Sequence, residues 1–131
     1  MRTLCVVFFL SLVMAIGCTT VPPRITMNPT APIDPAKEFF VSANIQQDEI
    51  VKALHSAGVK TTNRSFLAGY QIDVRVGRAR RTFDCGTLNS VHYTVEQDGK
   101  KLMEIRGRGR TGNCKPNIFD HITAMILEQS A

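Results

Sequence analysis

Ser90, His92 and Glu104 are the residues of this chain whose types could carry out hydrolysis. Ser90 and His92 stand two apart, so on a strand they share one face. A hairpin would set Glu104 beside His92. A hydroxyl activated by an imidazole that a carboxylate orients is the logic of nucleophilic acyl transfer. That chemistry also needs an oxyanion-binding loop and a nucleophile on a sharp turn, and neither pattern surrounds Ser90. His55 and His121 fall in separate helical segments, so the histidines do not assemble. Gly107-Arg108-Gly109-Arg110-Thr111-Gly112 matches G-x-G-x-x-G by letter. In a dinucleotide fold the third glycine lies inside the helix that receives the pyrophosphate. Here Cys114 and Pro116 intervene, and no acid follows at about 20 residues. No Lys-Ser or Lys-Thr pair completes a P-loop. The expectation is a protein that is not an enzyme, with no cofactor and no metal.

What the chain does concentrate is positive charge. The formal net charge is +5. Between residues 75 and 115, Arg75, Arg78, Arg80, Arg81, Arg106, Arg108 and Arg110, with Lys100, Lys101 and Lys115, outnumber Asp84, Glu96, Asp98 and Glu104. One reading is a solvated face that keeps a sheet soluble. The other is a binding site for an anionic partner: a phosphorylated glycolipid, phospholipid headgroups, the carboxylates of peptidoglycan or an acidic protein surface. No aromatics interleave with these cations as a stacking platform for bases, which argues against nucleic acid.

The elements that must position these residues follow from periodicity. Residues 38–43 read as a first strand. Asn44 and Gln47 make a capping-box pattern for the helix that follows. Ile50, Ala53, Leu54 and Ala57 form its apolar stripe, and Gly58 closes it. Residues 59–66 read as a polar loop or a short irregular strand. Tyr70, Ile72, Val74 and Val76 then alternate with Gln71, Asp73 and Arg75, the mark of a half-buried strand. Residues 82–86 extend the strand pattern. Residues 88–97 and 100–110 form a hairpin. A three-residue Gln97-Asp98-Gly99 loop is expected, pairing Tyr93 with Met103, Val91 with Ile105 and His92 with Glu104. Gly107 and Gly109 fall on the inner face, where they would admit a helix closely. Asn117 caps a last helix over residues 118–129, with Ile118, Phe119, Ile122, Met125 and Ile126 inward. The fold class expected is α+β: a two-layer sandwich, β-α-β-β-β-α, with a largely antiparallel sheet of three or four strands and two helices on one face.

The N-terminus sets the compartment. Arg2 precedes an apolar run from Leu4 to Val13, and Met14-Ala15-Ile16-Gly17 lead to Cys18. The run is shorter than the roughly 20 residues a spanning helix needs and reads as a signal peptide over residues 1–17. Its end resembles the lipobox of bacterial lipoproteins, although Ala15 stands where leucine is usual. The resemblance implies that the chain is cut before Cys18, that Cys18 is acylated, and, with Thr19 rather than aspartate next, that it goes to the outer membrane. The alternative is an ordinary secretory signal and a free periplasmic domain. The pattern of helix, alternating strand, hairpin and terminal helix resembles small α+β accessory lipoproteins of envelope transport and assembly machines.

With Cys5 removed and Cys18 acylated, Cys85 and Cys114 remain in an oxidising space, and a disulfide is expected. Metal ligation is the competitor; it wants three or four ligands at close spacing, which neither cysteine has. Residues 18–36 hold Pro22, Pro23, Pro29, Pro32 and Pro35. They read as a tether that, extended, spans roughly 50 Å. Val21, Ile25, Met27 and Ile33 also allow a segment that docks on a partner. Residues 37–131 form the globular domain. The function expected is an outer-membrane, lipid-anchored, non-enzymatic accessory component of an envelope machine facing the periplasm. Its partners would be membrane lipid through Cys18 and another envelope protein; the alternative is a module that binds anionic glycolipid or peptidoglycan.

Overall fold

A computed structural model describes residues 24–29, 31–77, 80–81 and 86–129. The signal peptide, Cys18, Arg78 and Cys85 lie outside the described residues. In chain order the elements are β1 (Arg24–Pro29), β2 (Phe39–Ala43), α1 (Gln47–Ser56), β3 (Thr61–Thr62), a 3-10 turn (Ser65–Leu67), β4 (Tyr70–Val76), β5 (Arg80–Arg81), β6 (Gly86–Gln97), β7 (Lys100–Gly112) and α2 (Ile118–Glu128). The strands form one sheet in the order β1-β7-β6-β4-β2-β3, with β5 paired to β6.

The α+β class stands, and the strand count and directions need correction. Seven described strands take the place of three or four. The sheet is mixed, because β2 runs parallel to both β3 and β4. The cause is α1: a helix between two neighbouring strands is the crossover that parallel pairing requires. Ile50, Ala53 and Leu54 of α1, with Ile118, Phe119, Ile122 and Ile126 of α2, cover the face made by Phe39, Val41, Ile72, Val74, Tyr93, Val95 and Ile105. Among the described residues no helix lies on the other face of the sheet.

The tether expected over residues 18–36 is the second correction. Arg24 to Pro29 pair antiparallel with Met103 to Arg108. Ile25 and Met27 pack against the core, and Ile33 is 1% exposed. The Ile33 amide bonds the Gln129 carbonyl at 3.1 Å, and the Asp34 amide donates to the Tyr70 hydroxyl at 2.6 Å. Apolar burial outweighs the proline content here. Pro29 stands at the end of an edge strand, where its missing donor costs no ladder bond.

The hairpin loop is the third correction. Asp98 and Gly99 both have positive φ, 51° and 77°, the signature of a two-residue type I′ turn. Gln97 pairs with Lys100. A bulge at Val95/Glu96 then leaves Leu102 as the extra residue, and Val95 meets Met103, Tyr93 meets Ile105 and Val91 meets Gly107. The two-residue turn and the alignment of apolar residues are reconciled by that bulge. It lets Leu102 and Met103, consecutive in sequence, both be buried.

Caps divide likewise. Asn117 caps α2 as expected, accepting from the Phe119 amide at 2.8 Å. Asn44 does not cap α1. Its amide bonds both the carbonyl and the N–H of Val76, at 3.0 and 2.8 Å, and prolongs the β2–β4 ladder. Gln46, at φ 58°, starts the helix without a side-chain cap. Gly58, at φ 84°, ends it, with the Val59 amide bonding the Leu54 carbonyl at 3.0 Å. Gly109 has the packing role expected: a Cβ there would meet Ile118 Cδ1 at 2.8 Å.

Candidate functional site

The sheet face opposite the helices gathers the cations. Alternation sends Arg75, His92, Arg106 and Arg108 away from the helices, and pairing aligns them across strands. His92 lies between Arg75 and Arg106. Arg108 lies between Ser90 and Arg24. A hollow of about 400 Å³, lined by Arg75, Gly77, Ser90, His92 and Arg106 among others, opens in this face. Arg75 makes only a loose ion pair with Asp73, at 3.8 Å, with both side chains well exposed.

Glu104 is the acid that organises the face. It accepts from His92 Nε2 at 2.8 Å, from Lys101 Nζ at 3.1 Å and from Arg106 Nη2 at 2.9 Å and Nε at 3.1 Å. Lys101, Arg106 and His92, in that order, hold its carboxyl down to about 2. A depressed acid stabilises the fold above the ordinary carboxylate range and loses that contribution as pH falls through it. Acid unfolding followed by circular dichroism should therefore show a limb between the ordinary value of 4.5 and about 2. Glu104→Gln is expected to flatten that limb; an unchanged acid profile would contradict the role given to Glu104.

The pairing of His92 with Glu104 survives, as a diagonal contact, since Thr94 faces Glu104 directly. Ser90 does not join it: among the described residues no hydrogen bond links Ser90 to His92, whose Nε2 is engaged by Glu104. Arg110 is half-buried on the same strand. Arg80 and Arg81 form the short β5 against Leu88 and Thr87. Cys114 is disulfide-bonded and 2% exposed. Arg24 is the cation that the proline content concealed. The signal was its alternation with Ile25, Thr26, Met27 and Asn28, five residues that read as a strand once the prolines are discounted.

A polar knot closes the far end of the hairpin on the helix side. Thr111 Oγ1 lies 2.8 Å from both Asn89 Oδ1 and Thr87 Oγ1. Asn89 Nδ2 donates to the Gly77 carbonyl at 3.2 Å. Nearby, Glu49 Oε1 accepts from the Gly112 amide at 2.6 Å and from Asn117 Nδ2 at 2.9 Å, tying α1 to the start of α2. A hollow of about 320 Å³ between the helices has Glu49, Lys52, Asn117 and Asp120 in its wall. These contacts are structural ties between elements. Among the described residues no group of three His, Cys, Asp or Glu side chains could hold a metal ion.

Tyr93 projects into the helix side, buried, with its hydroxyl unpaired among the described residues. Burial, then the negative charges of Asp120 and Glu49, push its phenol up. A buried hydroxyl without a partner costs about 1–3 kcal/mol. Tyr93→Phe is expected to stabilise the fold by about 1 kcal/mol in urea denaturation; a clear loss of stability would show that the hydroxyl is satisfied.

A scan against protein-family models and a search of curated proteins find no match. Solved structures do resemble the chain. The PelC dodecamer from Paraburkholderia phytofirmans matches in two crystal forms. A point variant in space group C2 aligns with TM-score 0.56 and 12% identity over 84% of this chain and 100% of that one. The form in space group P6 gives TM-score 0.52 and 15% identity over 84% and 99%. The likeness is one of fold. A minor lipoprotein from Acinetobacter baumannii aligns at TM-score 0.35 with 18% identity, over 71% of this chain and 91% of that one.

Proposed function

We propose that this chain is an outer-membrane lipoprotein, anchored through an acylated Cys18, that acts as a non-enzymatic accessory subunit of an envelope machine and works as a closed oligomer. The observation that carries the reading is the overlap of its fold with the whole of a PelC chain that is described as a dodecamer. The surface of the protomer supports it. A ring needs two different patches that complement each other, since its contacts are heterologous. The sheet ends in β1 on one side and β3 on the other. Beside β3, the 3-10 turn carries Phe66 and Leu67, 78% and 57% exposed. Large apolar side chains held in solvent beside a sheet edge fit a contact that the single protomer leaves open. Extraction from membranes in mild detergent, followed by size-exclusion chromatography with light scattering, tests this. One species of many protomers is expected; a monomer at all concentrations would contradict it.

A second reading, a binding module for anionic glycolipid or peptidoglycan, is favoured by one arrangement: the exposed arginines of the open face, Arg75, Arg106 and Arg108, with Arg24 set directly across from Arg108.

A further inference from the structure

We infer that Arg24 and Arg108 form a contact site for the phosphate headgroups of the membrane in which the chain is anchored, and that this contact orients the domain. The inference rests on the acylated Cys18 of the proposed function. Its first observation is the register of β1 on β7. Arg24 and Arg108 are Cα partners on the open face, both exposed. Neither has an ion-pair partner among the described residues, unlike Arg106 on the same strand, which Glu104 engages. Like charges directly opposite each other in an antiparallel pair are destabilising. One charge on an edge strand suffices to discourage stray pairing, and Arg108, on the inner strand, does not serve that purpose. Two unpaired guanidiniums side by side suit an anion that both can reach, and guanidinium forks match phosphate oxygens.

The second observation is where the sheet begins. Only Thr19 to Pro23 separate Cys18 from Arg24. A fully extended chain advances at most about 3.6 Å per residue, so Arg24 stays within about 20 Å of the anchored sulfur. The roughly 50 Å of free reach expected from a tether running to residue 36 is not available, because residues 24–29 belong to the sheet. Arg24 can therefore reach the headgroups and cannot stray more than about 20 Å from the anchor, and Arg108 stays beside it as its Cα partner. The occupant this selects is the phosphate of the host bilayer.

The test uses the native acylated chain in two kinds of vesicle: phosphatidylcholine alone, and phosphatidylcholine with a minority of phosphatidylglycerol. Phenylglyoxal labels accessible arginines, and peptide mass spectrometry reads each site. An arginine near an anionic surface gains about a fivefold preference for it. Labelling of Arg24 and Arg108 is expected to fall about fivefold on the anionic vesicles and to recover at high salt. Arg64, exposed near the opposite sheet edge, should label alike on both. An anchored chain whose Arg24 and Arg108 label equally on both vesicles overturns the headgroup contact. A chain that washes off the neutral vesicles and carries a bare Cys18 overturns the anchoring reading instead.

Discussion

The double substitution Phe66→Asp and Leu67→Asp is expected to leave the protomer folded and to abolish its assembly. Both side chains are exposed in the single protomer, at 78% and 57%, so the fold loses little. In an oligomer that buries them, the two together stabilise each interface by about 3–6 kcal/mol. Each carboxylate would in addition have to be desolvated there. Light scattering should then report a monomer with an unchanged circular dichroism spectrum. Retained assembly would move the contact away from the β3 edge, and loss of the spectrum would mean that these residues serve the fold.

The second large effect concerns the disulfide. Cys114 sits 2% exposed just after β7. The neighbouring geometry points toward the start of β6, since a Cβ on Gly86 would lie 3.2 Å from Cys114 Sγ. With Cys85 as the partner, the bridge closes a loop of about 30 residues, worth about 3–4 kcal/mol by the chain-entropy account. That is a large share of the about 5–15 kcal/mol that holds a domain together. Cys114→Ser is expected to lower the urea midpoint accordingly, and peptide mapping of the native chain should recover a peptide joining Cys85 to Cys114. An unchanged midpoint after the substitution would remove the bridge from the account of stability.

The parts of the fold that were legible in the sequence are those where one physical rule acted alone. Tyr70 to Val76 alternate strictly and form a strand with its odd-numbered neighbours outward in the expected sense. Asn117 has the side chain and the position for a cap and uses them. Gly109 packs under α2 for the reason its spacing suggests, whereas a Cβ on Gly107 would crowd Arg24 and Ile25 of β1 first. Where two rules compete, local pattern does not show which one prevails. Proline content over residues 22–35 argued for a tether, while Ile25, Met27 and Ile33 argued for burial, and burial prevailed. The apolar register alone implies a three-residue loop at Gln97-Asp98-Gly99, while the bulge at Leu102 lets a two-residue turn align the apolar residues instead. This bulge has no glycine to mark it, so local pattern does not show it. Asn44 met the helix-cap pattern and took a backbone pairing with Val76, a contact 32 residues away that no local rule contains.

The site followed the same division. Arg75, Arg106 and Arg108 are exposed on the open face, as alternation places them. What the sequence could not show is how differently their charges are engaged. Glu104 holds Arg106 together with Lys101 and His92, which depends on a diagonal set by the bulged register. Arg24 joined the face only because β1 pairs with β7 across about eighty positions of chain.

The most direct test of an anchored, self-assembling subunit is native mass spectrometry of the chain extracted from membranes in detergent. The account predicts a multiple of a protomer that lacks residues 1–17 and carries the mass of acyl chains on Cys18. A lone protomer with an unmodified cysteine at that position would contradict it.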